Sequence, residues 1–311
     1  MNLDKININE FLNKYISFVD NISIKYGYDS NIKHVLYIIV PSFIIKYDIK
    51  NERKILKLFE DIKIIINNKE DNNNIASFER RLIKDNDNYI IDKKVLLNKY
   101  KQVSLIELID SLIHEFNHAI NSINNELYTD RYHVYLRSGI INTKYDKETL
   151  NIIDNKEKYI ILEEVLNTIE TEQIINIILS LNKYKDIIQN SEFINMLYAL
   201  NNEVGQTYKS NAYLLQTFIS EELTKNKTFT STLNNLRFIG NINNIESWFD
   251  NITGINNSFY ILCDKLTIIK DLEIKHMKRK IFKNIILSKI REEFRNISTI
   301  IENFNNNCIY K

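Results

Sequence analysis

Residues 104–123 read SLIELIDSLIHEFNHAINSI, and the period of this run decides the fold. Apolar side chains recur at Leu105, Ile109, Leu112, Phe116, Ala119 and Ile123, which is one face of an α-helix. A narrow polar stripe of Glu107, Ser111, His114, His118 and Asn121 follows the other side, and neither Pro nor Gly interrupts it. The run therefore predicts a mostly buried helix with one polar seam. Within it, residues 114–118 spell His-Glu-Phe-Asn-His, an HExxH motif. Histidines four apart stack one turn apart on one face, where two imidazoles can hold one Zn²⁺. Glu115 stands about 100° round the helix, where a carboxylate activates a zinc-bound water. The chain has only 5 His, so two of them in one motif is a specific signal. The bland alternative is a helix whose two His face solvent or a polar pocket.

Zinc in a catalytic site takes a third protein ligand and keeps a position open. The next suggestive run is 160–179 (IILEEVLNTIETEQIINIIL), again helical in pattern, with adjacent acids at Glu163 and Glu164. Here the chain resembles the gluzincin-type zinc metallopeptidases, whose third ligand is a Glu on a second helix. In thermolysin-like members that helix reads Asn-Glu-x-x-Ser-Asp. Laid over it, Glu164 takes the ligand position, with Glu163 as the alternative. Glu163, Asn167 and Thr168 then stand where the family has Asn, Ser and Asp. Thr168 carries no charge for a metal-bound His, so the resemblance leaves Asp110, one turn before His114, or Glu163 for that role. Residues 119 to 163 separate the last His from Glu164, a longer gap than in thermolysin, which implies an insertion or strand pair. The resemblance covers these two helices, under a sixth of the chain.

A metzincin requires Gly and His where this chain has Asn121 and Asn124, which excludes that class. His133 lies in the strand-like run 132–137 (YHVYLR) and is a candidate ligand or oxyanion donor, or an edge-strand His without a role. Arg137, Tyr208 and Tyr213 are further oxyanion candidates. His34 and His276 fall in unrelated segments and read as structural or solvated.

The resemblance implies a zincin-like α+β fold: a small mixed β-sheet over the active-site helix, then a mainly helical half. The expected parts are 1–158, the α/β part with the HExxH helix, and 159–311, the helical part with the third ligand. The implied activity is a zinc-dependent peptidase, an endopeptidase with one Zn²⁺ per chain and a peptide or protein as substrate. Two alternatives share the scaffold: a non-catalytic sensor or binding protein, and a toxin-like protease. Glu115 argues against the sensor, because a structural site needs no base and is usually closed by a fourth side chain.

Composition fits this reading. With 44% hydrophobic and 26% charged residues the chain is an ordinary globular sequence. A net charge of +1 gives no nucleic-acid footprint. The short basic cluster 276–280 (HMKRK) reads as a solvated face. Cys263 and Cys308 lie far apart and suggest neither a disulfide framework nor a Cys-based zinc site. The first residues carry acids and no apolar core, so no signal peptide is expected. The apolar run 35–45 is too short to span a bilayer. The expectation is a cytoplasmic protein, or one exported without a standard signal, of undetermined oligomeric state. One Pro and five Gly, with abundant Ile, Asn and Lys, match proteins of AT-rich bacterial genomes. That bias accounts for the Asn runs at 72–74 and 305–307.

Coarse patterning predicts helices at 4–26 and 52–61, a β-rich run at 35–47 around Pro41, and a strand at 63–66. A polar loop follows at 67–74. Strands at 76–83 and 88–91 flank a turn at 85–87, and the stretch 76–83 is the candidate edge for pairing with an extended peptide. Beyond the motif helix come strands or loop at 132–137 and 140–158, with Gly139 as a bend. Helices then run 160–181, 187–202, 208–225, 244–250, 258–272 and 278–304, broken near Gly205, Gly240 and Gly254.

Overall fold

The computed structural model describes residues 7–67, 75–86, 88–98, 103–124, 126–155, 159–207, 217–240, 245–278 and 283–308. The fold is mixed α+β with two small sheets and a helical C-terminal half. Its compact units do not follow chain order. The first comprises 1–120 with 170–210, and the second 121–169 with 211–311. The change in element content near residue 158 is thus not where the compact units divide.

In the first unit, α1 (Ile8–Tyr26) is capped by Asn7, which accepts from the Glu10 N–H, and stops at Gly27 with φ +68. Helix α2 (Ser30–Tyr47) follows, capped by Asp29 on the Ile32 N–H at 2.9 Å. The β-rich reading of 35–47 is corrected here: the run is helical, with Pro41 inside it. Every residue from Val35 to Ile45 is buried, so no amphipathic period exists for a helix to show, and burial overrides the strand preference of Val and Ile. The Ser42 hydroxyl donates to the Ile38 carbonyl within the same turn.

Helix α3 (Glu52–Asp61) and strand β1 (Lys63–Ile66) fall where expected. β2 (Ala76–Asp85) and β3 (Asn88–Leu97) form a hairpin closed by Asp85 opposite Asn88, longer than the sequence pattern implied. Asn86 takes a left-handed φ of 54 in that turn; Asp87 and the expected loop beyond Asn67 lie outside the described residues. Strand order is β1-β3-β2, with β1 parallel and β2 antiparallel to β3. β2 is therefore an edge strand among the described residues. Its alternate residues Ala76, Phe78, Arg80 and Leu82 share one face, and β2 packs against the motif helix α4 (Leu105–Ile120). Ser104 and Glu107 form a reciprocal cap on α4: the Ser104 N–H donates to Glu107 Oε2 at 2.9 Å and the Glu107 N–H to Ser104 Oγ at 3.4 Å.

In the second unit, β4 (Leu127–Thr129), β5 (His133–Ser138), β6 (Ile141–Asp146) and β7 (Ile152–Asn155) make an antiparallel sheet in sequential order. Helix α5 (Ile160–Ser180) is continuous and contributes residues to both units. α6 (Ser191–Thr207) runs past Gly205, so the expected break there is absent. Residues 208–216 of the expected helix lie outside the described residues, and α7 (Thr217–Thr224) is its described remainder. α8 (Lys227–Ile239) was not anticipated; it ends at Gly240 with φ +75. α9 (Ile245–Thr253), α10 (Ser258–Lys278) and α11 (Lys283–Cys308) close the chain. The core of this unit gathers Val165, Leu166 and Ile169 with Phe229, Phe249, Phe259 and Phe304. No helix among the described residues is long and apolar enough to cross a membrane.

Candidate metal centre

Each residue of the motif does something different. Phe116 enters the core, its ring 4.4 Å from Phe59 and 6.5 Å from Phe43, and so fixes the rotation of α4. That rotation puts the two histidines on the opposite side of the helix from Phe116. His114 and His118 lie edge to face with ring centroids 5.0 Å apart. His118 is 9% exposed, while His114 and Glu115 are half-buried. Glu115 Oε2 accepts from the Phe78 N–H at 2.7 Å. Phe78 sits opposite Val95, where the ladder leaves its N–H turned to the free edge of β2. Asn117 is fully buried, accepting from the Tyr47 hydroxyl at 3.2 Å and donating to Thr171 Oγ1 at 3.1 Å.

The half-buried Glu164 on α5 joins the histidines. One ligand atom from each of His114, His118 and Glu164 falls within 4.8 Å of the others. Zinc at bond lengths of about 2.0–2.2 Å needs tetrahedral ligands about 3.3 Å apart, so small side-chain movements suffice. Two imidazoles and one carboxylate are also the donor chemistry that Zn²⁺ prefers, and the residues fit the ion.

Glu163 points elsewhere. Its carboxylate accepts from Arg237 Nε at 3.1 Å and from the Ile140 N–H at 2.9 Å, and both Glu163 and Arg237 are buried. Arg237 also donates to Asn234 and, at 3.5 Å, to Asn167. The pair fits because residue 139 is Gly. A Cβ there would lie 2.1 Å from Glu163 Oε1, and the φ of +56 disfavours any other residue. Glu163, the neighbour of Glu164, is thus half of a structural ion pair within the second unit. Nothing in the sequence joins it to Arg237, which is 74 positions away.

The remaining candidates sort as follows. His133 pairs with Asp130 at 3.2 Å on the β4–β5 turn. Arg137 is buried, its guanidinium donating to the carbonyls of Gly139, Arg237 and Asn124. These bonds tie the ends of β5 and α8 and the loop at Asn124 together. The Thr168 hydroxyl donates to the Glu164 carbonyl at 2.9 Å inside α5. Asp110 is buried one turn before His114. Tyr208 and Tyr213 lie outside the described residues. Asn117 and Thr171 were not singled out in the sequence; the only hint was a polar residue on the flank of the ligand stripe.

Compared with protein-family models, curated proteins and solved structures, the chain matches none.

Proposed function

We propose that the protein is a zinc-dependent peptidase with a zincin-like arrangement of edge strand, motif helix and ligand helix. The observation that carries this reading is the convergence of His114, His118 and Glu164 with a carboxylate, Glu115, left over beside them. The histidines and Glu164 would hold the metal. Bound there, Zn²⁺ supplies Lewis acidity, polarising a carbonyl and lowering the pKa of water. Glu115 is the base: it takes the proton of the attacking water and returns it to the leaving amine. The Phe78 N–H orients that carboxylate. An extended peptide would pair with the free edge of β2, where Arg80 and Leu82 alternate with the residues bonded to β3.

A purified sample should hold about one Zn²⁺ per chain by the three-ligand rule and cleave peptides from a mixed library. Elemental analysis after the double change His114→Ala and His118→Ala is the decisive measurement. Full metal content in that variant sinks the assignment. Metal without any cleavage favours the sensor alternative.

A further inference from the structure

Asn117 is, with Phe116, one of two motif positions whose side chains the metal chemistry does not ask for, yet both ends of its carboxamide are used. Oδ1 accepts from Tyr47 on α2, and Nδ2 donates to Thr171 on α5. Leu would fill the space with neither bond, and an ionised Asp accepts only. A buried amide with one end unpaired is costly, so the three side chains hold one another in a single arrangement.

Thr171 lies about two helical turns beyond Glu164, on the same side of α5. Sliding α5 along its axis by one residue would carry Glu164 about 1.5 Å. Metal–ligand distances tolerate only about 0.2 Å. The same slide would break the bond between Asn117 and Thr171. Lys46 Nζ, which donates to Gln173 Oε1 two residues beyond Thr171, also ties α5 to α2.

We infer that Asn117 is a positioning residue: through Thr171 it sets the axial register of α5 on the motif helix, and hence the reach of Glu164 to the two imidazoles. The inference rests on the metal-centre reading above. It assigns the bond to the tuning of affinity and geometry and gives it no contact with substrate.

The test uses the full chain and two readouts: zinc affinity by competition with a chromophoric chelator, and the visible spectrum of the Co²⁺-loaded protein. Thr171→Val keeps the shape and removes the acceptor. It should weaken zinc binding about tenfold, the usual scale for residues that support ligands, and alter the Co²⁺ bands. Thr171→Ser restores the acceptor and should return both to wild-type values. Ile178→Val, a packing loss on the same helix, should lower thermal stability with affinity and spectrum unchanged. Wild-type behaviour of Thr171→Val, or equal weakening by Thr171→Ser, overturns the inference while the metal centre stands. If Thr171→Val does not fold, Tyr47→Phe releases the other end of the carboxamide, and an unchanged affinity and spectrum there overturns it equally. A wild-type protein that binds no zinc removes the metal centre and this inference together.

Discussion

The Phe78 N–H donates to Glu115 Oε2 at 2.7 Å, so the acid of the motif is tied to the edge strand and is not free on its own helix. Sheet and helix together orient the carboxylate, so a shift in the β2 register would move Glu115.

Glu115→Gln tests this directly. Gln keeps the length and an oxygen for the Phe78 N–H, but it accepts no proton from water. Zinc content should stay at the wild-type level while peptide cleavage falls by about 10²–10⁴-fold, the usual share of a general base. Undiminished turnover would exclude Glu115 from that role.

Neighbouring Glu163 and Glu164 should fail in different ways. Glu164→Ala should lose zinc on dialysis against a mild chelator with little change in the melting of the metal-free protein. Glu163→Ala strands Arg237, which is 0% exposed. Removing one partner of a buried pair typically costs about 3–5 kcal/mol, to be read from urea unfolding. If Glu163→Ala left stability intact and emptied the metal centre, the assignments of the two would have to be exchanged.

Gly139→Ala should destabilise the second unit through the same pair. A left-handed φ at a non-glycine residue costs about 1–3 kcal/mol, and the added methyl would also push Glu163 off Arg237. Thermal melts of this variant and of Ser138→Ala as a neighbour control settle it; equal melting temperatures would be contrary to expectation.

Asp130 offers a pH test. The Tyr132 N–H, then the His133 N–H, the Tyr135 hydroxyl and the His133 ring, hold its carboxyl well below the usual range, outweighing its partial desolvation. A carboxyl depressed on folding contributes stability that is fully present above its unfolded pKa of about 4 and is lost as pH falls through the folded value. Asp130→Asn should therefore cost stability at neutral pH, and the difference from wild type should shrink in acid. Urea midpoints at pH 7 and pH 3 measure it, and a constant difference would remove the linkage.

The sequence was legible where one face of an element differs from the other. α4 shows its helical period, and Ala76–Ile83 and the turn after it mark the hairpin. α2 hid its type because it is apolar all round. α8 went unseen because Thr228, Thr230, Ser231, Thr232 and the Asn pair 234–235 read as loop, although Phe229, Leu233 and Arg237 recur at helical spacing and are buried. In the candidate metal centre, spacing picked out His114 and His118 and the resemblance picked out Glu164, and the three lie together. Glu163 was misleading, because its partner is distant in the chain. Asn117 and Thr171 were silent, since a buried side-chain hydrogen bond between helices leaves no periodic trace.

Helix α2 also bears on how the chain is made. It packs against α6, whose residues follow about 150 positions later, a wait of roughly 8–30 s at synthesis rates of 5–20 residues per second. Its neighbours α1 and α3 emerge far earlier, so for that time only the α6 side of this apolar helix stays uncovered. A holdase that shields that side during synthesis should therefore raise the yield of soluble protein on rapid overexpression.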